Sequence, residues 1–368
     1  MLKRIKIINF KSLENVEINF NQKFHAIIGR NNSGKTNLIE AIDFVSKLAR
    51  KLELFNVIEK MGGFDRILYF GAKEKIIKFE LEIVLEKNTY IYELAFSDKS
   101  VLKEKLILNN KIVLEILSQG KGRTFDYVEN IYKDFSFESK NLALNQLWDY
   151  ERYKPIREFS KILNKFEIYK LLPNMMRESS PAKKEFNPET YGEKIIQVLH
   201  SILSEDYQTY REIVEIMKTM FDEIKEIYST IDERGLTNIE ILEIGFEKKF
   251  DIKQISDGIL RFLAFLTIIH LQKKFTLLCF EEPELYLHPS LLVKLIELLK
   301  NLDIQVIITT HSPQILNLLD PDDLIIVYKR DGNSAYEQLP TKLEVIQKLN
   351  QDGFLLGELW TMGEFDNA

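Results

Sequence analysis

The stretch Gly29-Arg30-Asn31-Asn32-Ser33-Gly34-Lys35-Thr36 constrains this chain more than any other, because it satisfies G-x4-G-K-[ST] in full. The apolar run His25-Ala26-Ile27-Ile28 precedes it and reads as a buried strand. Behind it Leu38, Ala41, Ile42, Val45, Leu48 and Ala49 recur at three- and four-residue spacing, which predicts an amphipathic helix. Strand, glycine-rich turn and helix in that order describe a phosphate-binding loop. The glycines let backbone N–H groups turn inward, and the helix N-terminus adds partial positive charge. Gly29, Asn31, Asn32, Ser33 and Gly34 are expected to wrap the phosphates of a nucleotide. Lys35 is expected to reach the β- and γ-phosphates, and the Thr36 hydroxyl to complete a Mg²⁺ shell.

A second apolar run, Phe275 to Phe280, ends in Glu281-Glu282-Pro283. Glu281 suits a metal ligand, direct or through water. Glu282 suits a base that polarises the water attacking a γ-phosphate. A third run, Ile304 to Thr309, leads into Thr310-His311-Ser312-Pro313. In a parallel sheet the carboxyl ends of such strands share one edge, where ligands bind. His311 would then sense a γ-phosphate through one hydrogen bond. Ser256-Asp257-Gly258 opens a further helix carrying Leu260, Leu263, Ala264, Thr267 and Ile268. Ser256 is a good N-cap there, and the helix start is a second candidate anion site.

Charge narrows the partners. Fifty Lys and Arg against 56 Asp and Glu give a net charge of −6, which argues against a whole-surface grip on nucleic acid but leaves room for a local groove. Residues 152–170 are the candidate patch for DNA or RNA, with Arg152, Lys154, Arg157, Lys161, Lys165 and Lys170 among Tyr153, Phe159, Phe166 and Tyr169. The plainer reading of that stretch is a solvated amphipathic helix. The single cysteine, Cys279, excludes an internal disulfide or a cysteine-based zinc site and points to a reducing, cytoplasmic setting. The longest apolar run, Ile259 to Leu271, contains Arg261 and falls short of the ~20 residues of a bilayer span, so no membrane partner is expected.

Patterning sets the organisation. Leu2, Ile5, Ile7 and Val16, Ile18, Phe20 alternate with polar residues, and alternation returns over residues 76–118, from Ile77 through Phe96, which predicts an antiparallel meander. From about 138 to 230 the period becomes helical, with Tyr210, Ile213, Met217, Met220, Ile224 and Ile227 stepping by three and four like a heptad seam. Residues 239 to 368 alternate strands with helices in parallel α/β order. The expected architecture is α/β, with an N-terminal lobe at 1–137, a helical insertion at 138–232 and a C-terminal lobe at 233–368.

Phosphate loop, Ser-Asp-Gly helix, Glu281-Glu282-Pro283-Glu284 and Thr310-His311-Ser312-Pro313, in this order, resemble the ATP-binding-cassette heads of the SMC/RecF class. Within it the chain looks most like the OLD-like ATPases of bacterial defence systems. Ile7-Ile8-Asn9-Phe10-Lys11-Ser12-Leu13, Glu284 to Pro289 and Leu356 to Trp360 resemble that group as well. The resemblance implies a P-loop NTPase built as a two-lobed ABC-type head, binding ATP and Mg²⁺ and hydrolysing ATP. It implies a homodimer, or a higher oligomer, with ATP at the interface. Ser256 and Gly258 of one subunit would meet the γ-phosphate held by the other, and Lys11 would contact nucleotide phosphates.

The setting it implies is antiphage defence or DNA repair and maintenance, with a separate nuclease-like effector. Departures from the class are Ser-Asp-Gly in place of the transporter's Ser-Gly-Gly, and Glu281 where an Asp is usual. No glutamine is assigned to the Mg²⁺-coordinating loop, Gln146 being a poor candidate. Only about 90 helical residues stand where SMC proteins insert long coiled-coil arms. With 57 residues after His311, no appended TOPRIM nuclease is expected within this sequence. The alternatives are an ATP-dependent DNA nuclease acting by itself, a nucleotide-binding subunit of a transporter, and a scaffold that binds nucleotide without turnover.

Overall fold

The computed structural model describes residues 1–50, 53–147, 151–330, 332–339 and 353–365. The chain forms two compact units, Met1–Glu167 with Asp320–Ala368, and Ile168–Leu319.

In the first unit the alternating segments form an eight-stranded antiparallel sheet. Its spatial order is Leu13–Asn19, Leu2–Phe10, Ile77–Leu85, Asn88–Phe96, Val101–Leu108, Lys111–Ser118, Lys121–Asp126, Ile131–Ser136. Register follows from which face is apolar. Ile5 sits between Ile18 and Leu81, and Ile7 between Val16 and Phe79, all buried. The helix Lys35–Ala49 lays Leu38, Ala41, Ile42, Phe44, Val45 and Leu48 into the core. Phe44 stacks on Phe79 and Phe96 with ring centroids 5.6 and 5.5 Å apart, which seats the phosphate-loop helix on the sheet through aromatic contacts.

The strand before the loop, Phe24–Ile28, is buried at every residue and pairs in parallel with Leu324–Arg330. Burial on both faces explains why it reads as a continuous apolar run rather than an alternation. Leu324–Arg330 then turns back into the antiparallel strand Asn333–Gln338. Elsewhere in this unit Glu104 is fully buried. It accepts hydrogen bonds from the N–H groups of Ala143 (2.6 Å) and Leu144 (3.0 Å) and from the Tyr92 hydroxyl (2.9 Å). Burial outweighs those donors and pushes its carboxyl up to about 7.

In the second unit the strands Leu277–Glu281 and Gln305–Thr310 pair in parallel, with Glu281 opposite Thr309. The helix Asp257–His270 is buried over nearly its whole length. A separate antiparallel sheet joins Ile224–Ile231, Thr237–Glu243 and Phe250–Asp251, and the helices Ile195–Glu205 and Tyr207–Met220 pack against it.

This corrects two sequence expectations. The seam beginning at Tyr210 does not continue as helix, because Ile224 and Ile227 lie on a strand; residues 138–232 therefore mix helices with strands. Tyr210, Ile213 and Met217 on the helix and Ile224 and Ile227 on the strand are all buried, and the Tyr210 hydroxyl donates to the Ile227 carbonyl at 2.8 Å. Two elements facing one core produced a single apparent period. The segment around 239 likewise belongs to this antiparallel sheet, not to the parallel layer. Among the described residues no helix is long and apolar enough to cross a membrane.

Candidate functional site

The phosphate loop lies wholly in the first unit. A Cβ added at Gly29 would stand 2.3 Å from the Val327 carbonyl oxygen, so only glycine fits beside the neighbouring strand. Asn32 (φ 65°) and Gly34 (φ 120°) take left-handed conformations, the backbone geometry from which anion-accepting turns are built, and the Ser33 N–H between them closes the turn on the Arg30 carbonyl at 3.2 Å. The Ser33 hydroxyl is buried there without a hydrogen-bond partner. Such a cradle, with an orphaned donor and a glycine where a Cβ would collide, fits a phosphate group.

Lys35 is only 6% exposed, and its ammonium donates to the carbonyls of Gly29 (2.6 Å) and Arg30 (3.1 Å), folded over the loop it is expected to serve. Asn31, Asn32 and Thr36 are exposed at the mouth. Lys11 has a left-handed backbone (φ 50°), and its ammonium pairs with Glu40 on the helix that follows the loop.

The acidic residues lie in the second unit. Glu281 ends its strand buried, with the Lys170 ammonium 3.7 Å away. Glu282 follows in the left-handed region (φ 46°). Its N–H donates to the Thr309 carbonyl at 2.9 Å, and its own carbonyl accepts from Arg261 Nη2 at 2.7 Å. Arg261 Nη1 donates to the Leu285 carbonyl at 2.8 Å. This arginine is 1% exposed, and burial pulls its guanidinium down to about 10 against the opposing pull of Glu284, Tyr286 and Glu282.

Glu284 Oε1 accepts from the Thr310 hydroxyl (2.7 Å) and the His311 N–H (3.2 Å), while its Oε2 is buried with no partner. The His311 ring, half-exposed, places Nδ1 3.5 Å from Glu282 Oε1 and 3.7 Å from Glu284 Oε1. Ser256 caps its helix by accepting from the Ile259 N–H at 3.3 Å. Arg177 steadies that turn through Asp257 (2.8 Å) and the Ile255 carbonyl (2.5 Å). A Cβ at Gly258 would stand 2.9 Å from the Tyr286 carbonyl, so the helix start approaches the acidic loop closely.

Two residue groups result. Lys11 and Gly29 to Thr36 belong to the first unit; Ser256, Gly258, Glu281, Glu282 and His311 belong to the second, where Arg261 and Gly258 tie the Ser256 helix to the acidic loop. Sequence reasoning gave Arg261 no role. Its signal was a lone charge inside an otherwise apolar run. The proposed nucleic-acid patch at 152–170 changes character. Phe159, Phe166 and Tyr169 are buried and offer no stacking surface, and Arg152, Lys154 and Arg157 are each engaged by carboxylates. The apolar side chains belong to the core, as in the plainer amphipathic reading.

Residues 24–317 match the family described as "AAA domain, putative AbiEii toxin, Type IV TA system". The chain belongs to this family. Among curated relatives it is similar to the DNA replication and repair protein RecF of Bacteroides fragilis, 52% identical over 90 residues that cover 20% of this chain and 24% of that protein. The DNA double-strand break repair Rad50 ATPase of Methanococcus maripaludis is 25% identical over 259 residues, covering 70% of this chain and 24% of its own length. An ATP/GTP phosphatase of Helicobacter pylori is 23% identical over 337 residues, 87% and 88% of the two chains.

The match spans about a quarter of the RecF and Rad50 relatives. Among solved structures, an SMC head bound to the C-winged helix domain of ScpA covers 93% of this chain and 99% of its own at TM-score 0.61 and 15% identity. The SMC head domain from Thermotoga maritima gives TM-score 0.52 at 14% identity, over 92% and 98%. The fold of this AAA-domain protein is thus that of an SMC/RecF-like, ABC-type ATPase head, the class its motifs resembled.

Proposed function

We propose that this chain is an ATP-hydrolysing switch, in which two copies close head to tail around two ATP molecules and reopen after slow turnover. The observation that carries the reading is the phosphate loop, whose complete motif, left-handed turns at Asn32 and Gly34 and unpartnered Ser33 hydroxyl make a phosphate cradle. Lys35 would leave the Gly29 and Arg30 carbonyls for the β- and γ-phosphates, and Lys11 would leave Glu40 for the same nucleotide. Thr36 and Glu281 are the oxygen donors that would hold Mg²⁺, which when bound neutralises phosphate charge.

Glu282 acts as the base that orients the attacking water, and His311, poised between two carboxylates, senses the γ-phosphate. Ser256 and Gly258 serve the nucleotide of the partner copy. The RecF and Rad50 relatives support a setting in DNA repair or maintenance, and the resemblance to defence ATPases supports an antiphage role with a separate effector. The test is ATP binding and release of phosphate by the purified chain. Lys35→Ala should weaken ATP binding roughly 100-fold and remove turnover; unchanged affinity contradicts the assignment of the loop.

A further inference from the structure

We infer that the hydroxyls of Ser334 and Tyr336, on the strand Asn333–Gln338, are positioning groups that hold the phosphate-binding N–H groups of Gly34 and Lys35 in their inward orientation. The inference rests on the reading that the loop takes nucleotide phosphates, and adds residues some 300 positions downstream that no motif marks.

The physical basis is peptide planarity. The Ser33 carbonyl and the Gly34 N–H share one plane, and the Gly34 carbonyl and the Lys35 N–H share the next. A trans plane whose C=O is held outward has its N–H held inward. Both carbonyls are gripped. Ser334 Oγ donates to the Ser33 carbonyl at 2.6 Å, and Tyr336 Oη donates to the Gly34 carbonyl at 2.8 Å. That second carbonyl also accepts the helical bond from the Leu38 N–H at 3.2 Å, so both of its lone pairs are in use.

Proton counting gives the grip a direction. Ser334 has one hydroxyl proton and commits it to Ser33, so Ser12 Oγ, 2.7 Å away, must donate to Ser334 Oγ. Ser12 Oγ in turn accepts from Asn37 Nδ2 at 2.7 Å. The relay therefore runs one way, from Asn37 through Ser12 and Ser334 to the loop, and the Ser334 N–H bond to the Ser12 carbonyl (3.1 Å) fixes the register of its members. Ser334 is 4% exposed, and burial keeps the Tyr336 phenol well above its usual range, so both remain donors. A Cβ at Gly34 would stand 2.2 Å from Ser334 Oγ, so the glycine that supplies the left-handed turn also makes room for the clamp.

The test compares Ser334→Ala, Tyr336→Phe, Ser12→Ala/Ser334→Ala and Ser334→Ala/Tyr336→Phe. Two measurements are made on each: calorimetric ATP and ADP affinity, and hydrogen exchange of the loop peptide in the absence of nucleotide. Tyr336→Phe keeps the ring packing, and thermal melting confirms that each variant is folded. Each single variant should weaken ATP and ADP alike by about tenfold and speed exchange in the loop. Ser12→Ala/Ser334→Ala should be no weaker than Ser334→Ala, because both break one relay. Ser334→Ala/Tyr336→Phe should compound to about 100-fold.

Wild-type affinity and wild-type exchange in both single variants overturn the inference. So does a fall in melting temperature with neither affinity nor exchange changed. A wild-type chain that binds no ATP refutes the nucleotide reading instead, and is told apart because the exchange measurement still reports whether the hydroxyls order the loop.

Discussion

At the phosphate loop the left-handed backbone is carried by Asn32 and Gly34, residue types that adopt it readily; at the acidic loop it is carried by Glu282 (φ 46°) and Tyr286 (φ 63°), which do not. In the proposed reading the first loop meets phosphate through main-chain N–H groups, so its glycines serve shape and cost little strain. The second must present a carboxylate at a fixed place, so glycine is excluded and strain of order 1–3 kcal/mol is accepted. Arg261 holds that strain, bridging the carbonyls of Glu282 and Leu285 from the helix that starts at Ser256. One loop offers backbone donors and the other a carboxylate whose turn is held by a buried cation. Substitutions should therefore separate binding from chemistry.

The largest separation is expected at Glu282. Glu282→Gln should lower ATP turnover by roughly 10²–10³ while leaving ATP affinity nearly unchanged, as measured by phosphate release and calorimetry. An equal loss of affinity would show that the two loops do not divide the labour this way. Next is Arg261→Leu, which removes the guanidinium from the Glu282 and Leu285 carbonyls, leaves the Glu282 carbonyl only the Leu285 N–H at 3.2 Å, and frees the Glu282 turn. A loss of roughly 2–4 kcal/mol in urea unfolding is expected, with slowed turnover. Arg261→Lys, able to reach one carbonyl at a time, should fall between the two. Normal turnover in a folded Arg261→Leu protein would show that the acidic loop holds itself.

The third effect involves no residue of either loop and serves as a control. Glu104 has its carboxyl raised to about 7 in the folded chain against 4.5 when exposed. The neutral form is the one the fold prefers, so its stabilising effect is complete below about pH 4.5 and is lost as pH rises through 7. Wild type should lose up to roughly 3 kcal/mol of stability between pH 5 and 8 relative to Glu104→Gln, with ATP affinity per folded molecule unchanged. Parallel pH profiles for the two proteins would refute the buried titration.

The phosphate loop was legible because everything that defines it is contiguous: strand, eight-residue motif and helix lie within 25–49. The acidic loop was legible as a strand ending in carboxylates. Its restraint was not, because Arg261 reads as an interruption of an apolar helix until the helix is seen beside the loop. Ser334 and Tyr336 sit in Asn-Ser-Ala-Tyr-Glu-Gln, which has no marked composition and meets the loop only through strand pairing. The strand Ile224–Ile231 was hidden for a different reason. Its buried Ile224 and Ile227 continue the three- and four-residue steps of the preceding helix. The turn Asp232-Glu233-Arg234-Gly235, with Gly235 at φ 77°, was the overlooked signal that a hairpin and not a helix follows.

In the proposed switch ATP joins two copies of this chain, with the Ser256 helix of each completing the site of the other. The most direct measurement is the mass of Glu282→Gln in solution, by light scattering after sizing, with and without ATP·Mg²⁺. Twice the monomer mass is expected with ATP, monomer with ADP, and monomer again with ATP when Ser256→Arg is added. A Glu282→Gln chain that binds ATP and stays monomeric would contradict it.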